Sequence, residues 1–199
     1  MFRRAVVALM VGLMVVSNGV TADPVPVRGT ATSYPQSVIV AIKDQAVQLN
    51  LTGVGLRTRA AFNVYAVGSY VQNGTAVRTA EDVTKADAVR MFDLVMERAV
   101  DSADFIGAFK AAVGKSYPAD KFTAEFTQLA EGVGDKVAAK GDHVILLSMP
   151  GAGVRIRIAD KVDVTVKNPA FAQALWEVYL GPKPLDEGLK KGLVGLLAK

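Results

Sequence analysis

From position 38 onward apolar and polar residues alternate. Val38, Val40 and Ile42 occupy every second position, as do Val47, Leu49 and Leu51, and a period of two sends successive side chains to opposite faces of a strand. Two short half-buried strands are therefore predicted ahead of Gly53 and Gly55. A third follows over 62–71 and a fourth, rich in Val, Met and Phe, over 88–96. Between them 78–86 reads as a short helix capped by Thr79.

The period then changes. Phe105, Ile106, Phe109, Ala112 and Val113 recur with the spacing of a helix whose apolar stripe faces a core, with Asp101 or Ser102 as its cap and Gly114 and Tyr117-Pro118 as its stop. Phe122, Phe126, Leu129 and Val133 repeat the pattern in a second helix. Segments 144–149, 154–158 and 162–166 return to strand character, separated by turn residues, and predict an antiparallel meander. Asn168-Pro169 supplies a cap followed by proline at the first helical position, opening a helix through Phe171, Leu175 and Val178 that stops at Gly181. A last helix is predicted over 185–197.

Strands grouped early, helices in the middle, then a meander and terminal helices do not make the strict strand-helix alternation of a doubly wound parallel sheet. The order predicts an α+β fold, an antiparallel sheet under a layer of helices. Residues 23–35, rich in Pro, Gly, Ser and Thr without an apolar period, read as an extended lead-in with little packing of its own.

The N-terminus adds a compartment. Arg3 and Arg4 precede an apolar run over 5–16, followed by small residues at Val20, Thr21 and Ala22, the pattern of a secretory signal peptide cut after Ala22. The run is shorter than the roughly 20 residues a spanning helix needs. The expected destination is the periplasm or the exterior, with no stable membrane anchor after cleavage. Losing Arg3 and Arg4 lowers the net charge from +4 to about +2. With Lys and Arg dispersed among Asp and Glu, the basic footprint of a nucleic-acid binder is missing. The remaining length, with a single domain over 36–198, is enough to bury a core without cross-links. The chain has no cysteine, so packing alone must hold it.

The same composition narrows the chemistry. With no Cys and one His, clusters of Cys and His around a metal are excluded, as is a Cys nucleophile. His143 opens a predicted strand and reads as an exposed or edge histidine. Gly53-Val54-Gly55 lacks the third glycine and the following helix of a phosphate loop, and is read as a tight strand connection. No cofactor is expected. The unusual stretch is residues 53–71, where Arg57 and Arg59 interrupt an apolar strand-forming run and, if buried, need partners. At a strand end either can also reach water.

Gly53-x-Gly55-x-Arg57, followed by Phe62, Val64-Tyr65-Ala66 and Gly68-x-Tyr70, resembles the signature of the chalcone isomerase-like superfamily, and residues 171–195 resemble its C-terminal helices. The resemblance spans roughly 36–198 and implies an open-faced antiparallel β-sandwich with a layer of helices. It also implies a role for Arg57, which matches the arginine that steadies a substrate phenolate in the plant enzymes and grips a carboxylate in the fatty-acid-binding relatives. Tyr65 stands where the enzymes have threonine and the fatty-acid binders tyrosine. Either it donates to a ligand oxygen or it packs as a core tyrosine.

By the same alignment Phe105 and Ala112 replace the enzyme's tyrosine and asparagine, and Ala172 replaces a residue that sets substrate preference. Phe105 and Ala112 cannot donate a hydrogen bond. Three expectations follow. The first is a non-catalytic binder of a fatty acid or similar apolar carboxylate, held by Arg57 and Tyr65 in a pocket lined by Phe105, Phe109, Ala112 and Ala172. The second is an intramolecular lyase or isomerase acting on a chalcone-like substrate through Arg57, and the third is a structural or partner-binding protein whose pocket has collapsed.

Overall fold

A computed structural model describes residues 22–197, so the expected leader lies, but for Ala22, outside the described residues, as does position 198. The chain opens with a hairpin of β1 (Val25–Pro26) and β2 (Ser33–Tyr34). There follow β3 (Ser37–Ile42), β4 (Gln45–Arg59), β5 (Phe62–Gln72), α1 (Ala80–Lys85), β6 (Arg90–Met96) and β7 (Val100–Asp101). Helices α2 (Ser102–Val113) and α3 (Thr123–Val133) come next, then β8 (Val137–Ala138) and the meander β9 (His143–Met149), β10 (Gly153–Ile158) and β11 (Val162–Val166). Helices α4 (Pro169–Leu180) and α5 (Glu187–Leu193) complete the described fold.

Seven strands form one antiparallel, curled sheet in the order β11-β10-β9-β6-β5-β4-β3. The fold class is the α+β architecture expected, with the five helices of the described residues contributing to the core on one face of the sheet. Strand alternation divides the apolar side chains between two faces. Val67, Phe92, Leu94, Leu146 and Ile156 join Phe109, Phe126, Leu129, Leu175 and Trp176 in the core between sheet and helices. On the reverse face Ala66, Tyr70, Met91 and Leu147 form a second core with Val27 and Tyr34. At roughly 1.5–3 kcal/mol for each large side chain fully buried, the helical core supplies most of the stabilisation.

The helix starts follow local chemistry. Thr79 and Asp82 form a reciprocal capping box on α1, Asp101 caps α2, and Asn168 caps α4 with Pro169 at its first position. Other expectations are corrected. The lead-in does pack: Val27 and Tyr34 are buried, the Tyr34 hydroxyl donates to the Asp93 carbonyl at 3.0 Å, and its ring covers Gly68, where a Cβ would come within 2.7 Å. A short chain segment needs no period of its own when two side chains fill a waiting slot. The last helix is shorter than 185–197 because Asp186 caps it and Val194 ends it.

Arg90, which nothing in the sequence singles out, is buried beneath α4 with its guanidinium 4.9 Å from the Trp176 ring centroid. It donates to the carbonyls of Val83 and Thr84 at the end of α1 and to the Ser148 hydroxyl. Burial pulls its pKa down to about 10. Arg90→Met leaves those carbonyls without a donor and is expected to destabilise the fold by about 2 kcal/mol, read as a shift in the urea midpoint. An unchanged midpoint would show that α1 is held by other contacts.

Candidate functional site

The spacing of Gly53, Gly55 and Arg57 is explained by α5. All three lie on the helix-facing side of β4, opposite Ser69, Val67 and Tyr65 of β5. At Gly53 a Cβ would collide with the backbone of α5, 2.6 Å from the Leu193 carbonyl carbon, and at Gly55 it would stand 2.5 Å from Leu189 Cδ1. The two glycines are therefore not a strand connection, as the sequence suggested. They sit inside a 15-residue strand and let a helix backbone lie directly upon it. Thr52 fixes the seat, its hydroxyl donating at 2.8 Å to the Leu193 carbonyl.

Arg57 comes two residues later on the same face, where α5 begins. Its Nη1 lies 3.8 Å from Asp186 Oδ2, while Asp186 Oδ1 accepts from the Leu189 amide as the cap of α5. Nη1 also donates to the Thr58 carbonyl at 2.8 Å. The side chain is 22% exposed, and most of its five N–H donors stay free for a further partner.

Between Arg57 and Thr58 the register with β5 slips, because Thr58 pairs with Asn63 and Arg57 with Tyr65, leaving Val64 as the extra residue. The bulge turns Val64 and Tyr65, neighbours in sequence, toward the same space. The Tyr65 hydroxyl meets that of Tyr179, on α4, at 3.2 Å. Burial pushes both phenols above their ordinary range, Tyr179 the more strongly, and the nearby Arg57 charge opposes the shift in each. The pair stays protonated at neutral pH. One hydroxyl donates to the other, leaving one proton to offer elsewhere.

These groups border a cavity of about 600 Å³, open at one side and walled by β4, β5, the end of β6, α2 and α4. Arg57, Tyr65, Phe105, Phe109 and Ala112 all line it, with Met96, Val178 and Tyr179. Phe105 and Phe109 pack edge to face with centroids 5.0 Å apart, and Phe109 meets Tyr179 at 6.3 Å, so aromatic rings from α2 and α4 form part of the cavity wall. The chamber has not collapsed. Ala172 is a correction: it is 2% exposed within the core and does not line the cavity. Seven residues before Tyr179 it lies on a similar side of α4 but about 10 Å nearer the helix start. Tyr179 lines the cavity from α4, the role the sequence reading gave to Ala172. The sequence signal for it was an aromatic hydroxyl in the last turn of α4.

His143 is exposed, as one of the two expected readings had it, though β9 is an inner strand; its side chain is 56% exposed, with Nδ1 2.8 Å from Asp93 Oδ1 on the reverse face, and that contact raises its pKa. Arg59 is exposed at the cavity rim. Among the described residues no cluster of His, Asp or Glu is suited to holding a metal ion, and no helix is long and apolar enough to cross a membrane.

A family model described as chalcone isomerase-like matches residues 32–195. No curated protein sequence matches the chain significantly. Among solved structures the chain is similar to a crystal structure of an Arabidopsis thaliana fatty-acid binding protein, with a TM-score of 0.65 and 20% sequence identity, over 86% of this chain and 96% of that one. At that identity the likeness establishes the fold.

Proposed function

The chain belongs to the chalcone isomerase-like family, and from that premise we propose that it is an exported, non-catalytic binder of a single-chain apolar carboxylate such as a fatty acid. What supports this most is the convergence of one guanidinium and a pair of protonated phenols on a chamber whose other charged lining residues, Arg59, Arg98, Asp104 and Lys115, are exposed. A carboxylate meets the Arg57 fork and accepts the spare proton of the Tyr65–Tyr179 pair. The acyl chain lies along Phe105, Phe109 and Met96. A volume of about 600 Å³ falls in the usual range for small-molecule sites. Burying about ten methylenes contributes roughly 8 kcal/mol, and the charge-assisted contact about 1.5–3. Association and ordering oppose much of this, which leaves roughly micromolar affinity. The leader-like pattern over 1–22 supports export to the periplasm or beyond.

The isomerase reading retains Arg57, but the cavity faces Phe105 and Ala112 carry no donor to steady a developing charge on that side. Mass spectrometry of the purified protein tests the binding proposal: an acyl carboxylate co-purifies, or added laurate is taken up one to one. Neither happening rejects it. Loss of chalcone absorbance in wild type but not in Arg57→Ala would instead favour the isomerase.

Tyr65→Phe removes the donor nearest Arg57 and is expected to weaken laurate about fivefold. Tyr179→Phe leaves the Tyr65 hydroxyl in place and should cost less. Because burial raises both phenol pKa values, the donor persists into alkaline solution. Laurate affinity should then hold level from neutral pH to about pH 9, and a loss across that window, seen by titration calorimetry, would exclude a phenol donor.

A further inference from the structure

We propose that the β4–β5 hairpin tip, with the basic rim beside it, docks this protein onto an anionic lipid bilayer. The tip Arg59-Ala60-Ala61-Phe62 is a two-residue turn in which Ala60 and Ala61 both adopt left-handed backbone, φ 48° and 67°. Asn-Gly fills such turns without strain. Alanine costs about 1 kcal/mol at each position. What the alanines provide is an apolar tip: Ala60, Ala61 and Phe62 are three successive exposed residues. Phe62, 65% exposed, is the most exposed large apolar side chain among the described residues. Strain retained where a polar turn would be stable points to a use for the apolar surface.

Charge identifies the occupant. The residues lining the cavity include four cations, Arg57, Arg59, Arg98 and Lys115, and one carboxylate, Asp104. Among the described residues no carboxylate lies within ion-pair distance of Arg59, Arg98 or Lys115. All three are exposed, so their charge is offered outward. An apolar wedge amid unpaired cations matches a bilayer interface, where the aromatic ring enters the acyl boundary and the cations meet anionic headgroups. A fluid surface asks for no shape complement, and a lone hairpin tip provides none. The cavity opens between these groups, so a docked protein exposes its chamber to the bilayer. Docking itself does not depend on what the chamber holds.

The experiment is flotation with vesicles of phosphatidylcholine alone or mixed with phosphatidylglycerol. The protein is used as the expressing cell delivers it, with its N-terminal residue set by mass spectrometry so that every variant is compared in one form. Binding is expected on the anionic vesicles only, weakening with salt. Arg59→Gln and Arg98→Gln should each weaken it roughly fivefold, and Phe62→Ser about tenfold. In Phe62→Trp the new indole should shift its emission to the blue on binding, against a buried Trp176 that does not change. Arg57→Met should weaken laurate yet still float, which separates this proposal from the ligand reading. Equal binding to neutral vesicles, no binding, or binding indifferent to Phe62→Ser overturns the proposal. Indifference to Phe62 with the salt dependence kept would reduce the contact to electrostatic adhesion of the rim, with no insertion of the tip.

Discussion

Arg57→Met is expected to weaken laurate binding roughly tenfold to a hundredfold while leaving the affinity for dodecanol unchanged. The two ligands share a chain and differ in the head group, so the comparison isolates what the guanidinium contributes. A charge-assisted contact is worth about 1.5–3 kcal/mol, and each 1.4 kcal/mol is a factor of ten. Methionine fills similar space without a donor, so the apolar walls stay in place. Stability should barely move, because the contact with Asp186 is long, at 3.8 Å, and partly exposed, and such pairs contribute about 0–1 kcal/mol. Arg57→Lys should fall between, since an ammonium keeps the charge but not the planar fork. Calorimetric titration of both ligands decides it. Equal laurate affinity in wild type and Arg57→Met would mean that the head group lies elsewhere.

Gly53→Ala is expected to destabilise the fold by about 3 kcal/mol, a large effect for one methyl group. Its Cβ would be driven into the backbone of α5 around Gly192 and Leu193, which cannot rotate aside as a side chain can. The neighbouring hydrogen bonds make the collision worse. The Thr52 hydroxyl holds the Leu193 carbonyl, and the Leu196 amide donates to the Thr52 carbonyl at 3.0 Å, so a lifted α5 strains both. Gly55→Ala meets only the end of the Leu189 side chain and should cost about 1 kcal/mol. Because Asp186 starts α5 and sits against Arg57, Gly53→Ala should also weaken laurate without touching the cavity. Urea unfolding of the two variants measures the difference. Equal midpoints for both would refute the seat.

What was legible in the sequence was local. Thr79, Asp101 and Asn168 declare helix starts through bonds to residues two or three positions on, and the alternation of 144–166 declares a meander because neighbouring strands pair with each other. Long-range partners were not legible. Gly53 looks like a strand break until α5, some 140 positions later, is laid across it. Tyr34 looks like loop until the slot at Gly68 receives it, and Arg90 looks like an ordinary surface cation until α1 closes over it. Within the candidate site, the bordering of one cavity by Arg57 and Tyr65 followed from a motif with fixed spacing on paired strands. Tyr179 was missed because its meeting with Tyr65 depends on how far α4 slides along the sheet, which a sequence alignment without gaps does not fix.

If the chain is exported as proposed, the packed hairpin at the front of the domain sets an order of events. A leader cut after Ala22 leaves only Asp23 and Pro24 before β1 begins, and the Asp23 carbonyl already accepts from Gln36 at 3.2 Å. Two residues span at most about 7 Å, too little to thread an extended substrate through a protease once Val27 and Tyr34 are seated. Under the proposed export, trimming would have to precede closure of the reverse face, and proteolytic maturation and the final folding step would compete for the same few residues of chain.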